Sequence, residues 1–133
     1  MPNEHILLAS SDARWVTPIA SVLETDGYRV SIARTGVDAL YQARMGRPDL
    51  ILLDLELPHL SGWEVCRRLK RMAERTAPKI VLITLDAVAA HRAGADGYVV
   101  KGGQLDPSLP PVHAFHTPQG ILRKFLHRRA LAA

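Results

Sequence analysis

Three polar residues close three apolar runs. Asp54 follows Leu50-Ile51-Leu52-Leu53, Thr84 follows Ile80-Val81-Leu82-Ile83, and Lys101 follows Tyr98-Val99-Val100. A carboxylate attacks phosphorus readily when a cation and a hydrogen-bond donor offset the negative charge crowding the reaction. Lysine supplies the cation and threonine the donor. Each residue alone has an ordinary structural use, since an aspartate at a strand end often shapes a turn. Set at three neighbouring strand ends, they point to phosphoryl chemistry on Asp54.

The elements that must position these residues alternate along the chain. Residues 6–9 form a short buried run that ends in Ser10-Ser11-Asp12. Proline fits poorly inside a helix, so Thr17 as cap and Pro18 as first helical residue predict a helix reaching about Glu24, stopped by Asp26-Gly27. Residues 28–33 read as a second strand. Thr35 caps a second helix with Val37, Leu40 and Tyr41 on one face, closed by Gly46 and Pro48. Residues 50–55 are apolar on both faces, as in a central parallel strand. Ser61-Gly62-Trp63-Glu64 is a capping box, and Val65, Leu69 and Met72 stripe the helix behind it. Residues 79–85 predict a fourth strand, 87–93 a short helix closed by Gly94, and 98–100 a fifth strand. A glycine- and proline-rich surface loop over 102–117 and a last helix over 118–130 complete the expectation. Residues 1–133 thus read as one α/β domain with its core in 5–101: a five-stranded, doubly wound parallel sheet with helices on both faces. In such sheets the functional crevice lies beyond the carboxyl ends of the strands. That rule selects Ser10, Ser11, Asp12, Asp54, Thr84 and Lys101.

Composition narrows the class. The chain has 133 residues, of which 47% are hydrophobic, enough for a core. No apolar run approaches the roughly 20 residues of a membrane span. The N-terminus lacks a basic segment leading into an apolar one, so no signal peptide is expected. A single cysteine, Cys66, excludes an internal disulfide and fits a reducing, cytoplasmic setting. The net charge of +4 comes mostly from arginine, and basic residues concentrate within 67–79 and 123–129. No aromatics interleave with them, so they read as solvated helix faces, and only net charge speaks for nucleic acid.

Two longer motifs now stand out. Residues 48–58 (PDLILLDLELP) with Gly62, and residues 94–101 (GADGYVVK), resemble the phosphorylation segment and fifth-strand signature of response-regulator receiver domains in two-component signalling. Val22-Leu23-Glu24 with Gly27-Tyr28 is similar to the end of that family's first helix. The resemblance runs from Ile6 to Lys101. It implies a flavodoxin-like sheet of order 2-1-3-4-5, with Asp54 as phosphoacceptor, Lys101 as its ion-pair partner and Thr84 as the phosphate sensor. It further implies that Tyr98 is the switch aromatic; a strand aromatic filling the sheet surface is the plainer alternative. The partners implied are a histidine kinase or phosphotransfer protein and a downstream protein, with self-association open.

Departures from the family concentrate at the site. Receivers place two acidic residues after the first strand to bind Mg2+, and Ser10 and Ser11 stand there instead. Losing two anionic ligands weakens Mg2+ binding and leaves Asp12, Asp54 and Glu56 as the candidate ligands, although Glu56 is equally a solvent-facing loop acid. The stretch between Thr84 and Lys101 is short, which predicts a shortened fourth helix. Gly102 replaces the family's proline, so its cis peptide is not expected. Two readings stay open. One is a stand-alone receiver phosphorylated on Asp54 that signals through protein contacts; the other is a phosphorylation-independent pseudo-receiver. Neither is an enzyme beyond self-phosphorylation and self-dephosphorylation. A phosphohydrolase using Asp54 lacks room for a substrate-enclosing cap. Cys66 reads as a buried small residue, His59 as an exposed loop residue, and His113 and His116 as no metal site.

Overall fold

Runs of four apolar residues set the sheet, because a strand covered on both faces must be apolar at successive positions. The computed structural model describes residues 4–72, 78–84, 92, 94–100 and 114–115. Strands β1 (His5–Ala9), β2 (Arg29–Ala33), β3 (Leu50–Asp54), β4 (Lys79–Thr84), β5 (Gly97–Val100) and β6 (Ala114–Phe115) form one sheet in the order β2-β1-β3-β4-β5-β6. Every neighbouring pair is parallel. The expected order 2-1-3-4-5 is therefore present, and the two-residue β6 extends it from within the segment read as loop. Helices α1 (Ala13–Thr25), α2 (Gly36–Gly46) and α3 (Gly62–Arg71) cross over between strands.

Alternate residues of the central strands feed two separate cores. Ile6, Leu8, Leu50, Leu52, Val81 and Ile83 pack with Val16, Ala20 and Leu23 of α1. Leu7, Ala9, Ile51, Leu53, Ile80 and Leu82 pack with Ala39, Leu40 and Ala43 of α2 and with Val65, Cys66 and Leu69 of α3. This period of two is what the pleat imposes, and it puts helices on opposite faces of the sheet.

The first helix differs from expectation. It starts at Ala13, capped by Asp12, whose Oδ1 accepts the Arg14 amide at 3.1 Å, and Pro18 lies inside it. The ring removes one bond to the Arg14 carbonyl. Both residues are exposed, so water can take that carbonyl, and the apolar spacing of Val16, Ala20 and Leu23 holds the extra turn. In α2 only Leu40 of the expected face is buried; Val37 and Tyr41 are 59% and 63% exposed, and Ala39 and Ala43 take their places. Small residues let this helix lie close to the sheet, which turns its larger side chains outward. Met72, expected on the α3 stripe, is also exposed.

The termini of the helices follow local chemistry. Thr35 accepts the Asp38 amide at 3.0 Å and Ser61 accepts the Glu64 amide at 3.3 Å, each satisfying a first-turn donor. The Glu64 carboxylate turns to Arg67 and Arg68. At the far end of α2 it is Arg47, not Gly46, that adopts the left-handed conformation (φ 46°). Gly46 instead leaves room for the His5 ring, whose Nδ1 lies 3.3 Å from its carbonyl oxygen. Lys70 Nζ and the Ile80 amide both donate to Asp96 Oδ2 at 2.8 Å, bracing α3 against β4 and the entry to β5. Gly94 is left-handed (φ 78°). The helix predicted over 87–93, Leu85, Lys101, most of the 102–117 loop with His113 and His116, and the last helix all lie outside the described residues.

Candidate functional site

Register brings the polar strand ends together. Ala9 pairs with Leu53, so Ser10 and Asp54 are each the next residue along neighbouring strands. Asp54 pairs with Ile83, and Thr84 with Val100. Among the described residues, Ser10, Asp54 and Thr84 are the buried polar ones, at 1%, 2% and 4% exposure, at the carboxyl end of the sheet. β1 and β4 lie on either side of β3, and the chain leaves β1 towards α1 and β3 towards α3 on opposite faces, so this end of the sheet is its switch point.

Asp54 is held by specific donors. The Ser10 hydroxyl donates to Asp54 Oδ2 at 2.9 Å and accepts the Asp12 amide at 3.1 Å. Asp54 Oδ1 accepts the Glu56 amide at 3.0 Å. A buried carboxylate needs such donors, because desolvation without them is costly. The loop after β3 is fixed by backbone contacts: the Leu55 amide donates to Ile83 O at 2.9 Å and the Gly62 amide to Leu55 O at 2.9 Å. A side chain at position 62 would collide with the Asp54 carbonyl, so only glycine lets α3 start this close. Gly36 plays the same part where α2 begins, against the Leu60 backbone.

Of the residues singled out from sequence, the structure unites Ser10, Asp54 and Thr84. Val100 ends β5 beside Thr84, and Lys101, the next residue, is outside the described set. Tyr98 is buried on the α2–α3 side of the sheet, the inward position. Ser11, Glu56 and His59 are exposed, and His59 is left-handed (φ 70°) in the loop after β3. The expected metal set of Asp12, Asp54 and Glu56 does not assemble: among the described residues no three of His, Cys, Asp and Glu gather closely enough to hold a metal ion. Asp12 caps α1 and pairs with Arg14, while Glu56 contributes its amide to Asp54 and leaves its side chain in solvent. Sequence reasoning missed the direct role of Ser10. The signal was present in the matched lengths of the runs 6–9 and 50–53, each followed by a polar residue.

Comparison with known proteins decides the family, since the model of the response regulator receiver domain matches residues 6–107. The chain belongs to the response-regulator receiver family. It is 41% identical over 106 residues to the transcriptional regulatory protein AfsQ1 of Streptomyces coelicolor, covering 76% of this chain and 45% of that protein. It is 36% identical over 103 residues to the DNA-binding response regulator MtrA of Mycobacterium tuberculosis, covering 74% and 44%. The chain thus spans about half the length of the curated relatives it matches. Among solved structures, the receiver domain of the Francisella response regulator 1452 superposes with a TM-score of 0.76 at 18% identity, covering 98% of this chain and 100% of that one. The BeF3-activated DrrB receiver domain gives 0.71 at 26% identity, covering 99% and 100%.

Receivers are signalling modules of two-component systems rather than enzymes of the ordinary kind, and they interact with histidine kinases. They commonly bind Mg2+ at an acidic pocket. The residues of this receiver do not fit that ion. Mg2+ requires near-octahedral oxygen donors, usually with one or two carboxylates. Here the strand-end position nearest Asp54 holds a buried hydroxyl whose hydrogen points at the carboxylate, and Ser11 contributes no charge. No helix among the described residues is long and apolar enough to cross a membrane.

Proposed function

We propose that this receiver accepts a phosphoryl group on Asp54 from a histidine kinase or phosphotransfer protein and signals through protein contacts. The observation that carries the reading is a carboxylate buried at the end of the central strand, with a hydrogen-bond donor on each oxygen and Thr84 at the adjoining strand end. A carboxylate oxygen of Asp54 attacks phosphorus, a P–O bond forms, the P–N bond to the donor histidine breaks, and its electron pair stays on the imidazole. Water later cleaves the acyl phosphate. Positioning and charge neutralisation dominate such transfers. In this proposal the Glu56 amide, the Thr84 hydroxyl and Lys101 receive the phosphoryl oxygens, and Tyr98 reports the change by leaving or keeping its inward position. Stand-alone operation belongs to the proposal too. It predicts a native polypeptide of about the size of this chain on an immunoblot, whereas one near twice that size would favour a regulator with an added output domain, as in the DNA-binding relatives.

Incubation with acetyl phosphate, with and without Mg2+, followed by intact mass measurement, tests the central claim. A single phosphate adduct is expected on the native chain and none on Asp54→Ala. A second reading, a phosphorylation-independent pseudo-receiver, is favoured by the serines at positions 10 and 11. The absence of an adduct from the native chain under both conditions would replace the first reading with the second.

A further inference from the structure

We propose that Ser10 stands in for the divalent cation of this site, so that Asp54 is held by a hydrogen bond where other receivers hold it with Mg2+. The inference rests on the receiver reading and adds how that site is kept together. Three observations converge. Ser10 is as buried as Asp54, so its hydroxyl is not competing with bulk water for that bond. Its one hydrogen is committed to Asp54 Oδ2, and a lone pair is committed to the Asp12 amide, which orients the hydroxyl as a donor. Asp12, the remaining acid of the segment, is turned away into the cap of α1.

The consequence is a reversal of sign at position 10. A carboxylate there would repel Asp54 and need a cation between the two. A hydroxyl attracts Asp54 with no cation, and inserting one would have to break the Ser10–Asp54 bond in return for a neutral ligand. Ser10 is therefore a positioning residue that acts through the Asp54 carboxylate. Mg2+ affinity returns only with carboxylates at positions 10 and 11.

Isothermal titration of MgCl2 into the full chain tests this without any phosphoryl transfer. The native chain should give the same heats as Asp54→Ala, and the double variant Ser10→Asp/Ser11→Asp should bind Mg2+ saturably, at least about tenfold more tightly. Saturable binding by the native chain that disappears in Asp54→Ala would overturn the proposal, as would a folded double variant no better than native. The buried aspartate at position 10 places folding at risk, so a second measurement uses the native chain alone. Substoichiometric Mn2+ should leave the Glu56 amide resonance sharp, and selective broadening of that resonance would overturn the proposal by itself. Failure of the phosphoacceptor reading shows as a missing adduct and leaves both metal measurements standing, so the two claims fail separately.

Discussion

Cys66 illustrates at the residue scale what burial does to a titratable group. It lies fully buried on the sheet side of α3, and its thiol is pushed up from 9.0 to about 11, first by burial and then by Asp96, against the opposing pull of Lys70. The raised value has a definite thermodynamic sign. Below pH 9 the thiol is protonated in both folded and unfolded chains and costs nothing. Between 9 and about 11 the unfolded chain releases the proton while the folded chain keeps it, so stability falls as pH rises. The full loss amounts to about 2–3 kcal/mol. Urea unfolding at pH 8 and pH 10.5 should show the native chain losing more stability than Cys66→Ala over that interval, and parallel losses in the two proteins would remove the thiol as the cause. The same burial blunts its nucleophilicity, which agrees with the reading of Cys66 as packing.

At the scale of elements, close backbone approach shapes the site more than side-chain contact does. Ser61 caps α3 and Gly62 begins it, directly against the carbonyl of Asp54. Gly62→Ala places a methyl group on that carbonyl, which belongs to the central strand and is held by its neighbours. The expected cost is about 3 kcal/mol, read as a lower urea midpoint at unchanged slope. A midpoint equal to the native one would mean that the loop between β3 and α3 yields freely.

Much of this architecture was legible in the sequence. Strands β1, β3 and β4 announced themselves as apolar runs, the caps Thr35 and Ser61 as hydroxyls before helical periodicity, and Gly27 as the stop of α1, while β6 lies in a segment that reads as loop. Of the features that were not legible, two have plain physical reasons. Pro18 signals a helix start, and only the docking of Val16 on the sheet reveals that the turn before it is also helical. Val37 and Tyr41 suggest a buried face, but the close approach of Ala39 and Ala43 to the sheet decides which side turns inward. Of the candidate site, Asp54 and Thr84 were placed correctly by their strand ends. The Ser10–Asp54 bond depends on inter-strand register, which the matched lengths of the runs 6–9 and 50–53 hint at without fixing, and the scattering of Asp12 and Glu56 depends on what each does locally.

Across the described residues, two independent cores share one sheet, and the buried polar residues among them all sit at one end of it. That division fits a receiver: the apolar faces hold the fold while the strand ends are left for chemistry. The described strands contain no antiparallel pair.

That last property governs how the chain reaches its native state. Without a hairpin, no part of the sheet can close through a tight turn, and each strand pair must wait for a crossover to come round. Of the two strand pairs joined through a described helix, β1 with β2 (His5 beside Arg29) is closer in sequence than β3 with β4 (Leu50 beside Lys79), and Leu23 of its α1 is buried against the sheet. Of these two units, β1–α1–β2 should therefore form first, with β4 added to β3 afterwards. Leu23→Ala should slow refolding in stopped-flow experiments, and Ile83→Ala should mainly accelerate unfolding, each at a total cost of about 2–5 kcal/mol. The opposite partition would place the nucleus at β3–β4, on the strand that ends in Asp54, and would make the functional end of the sheet the first part to form.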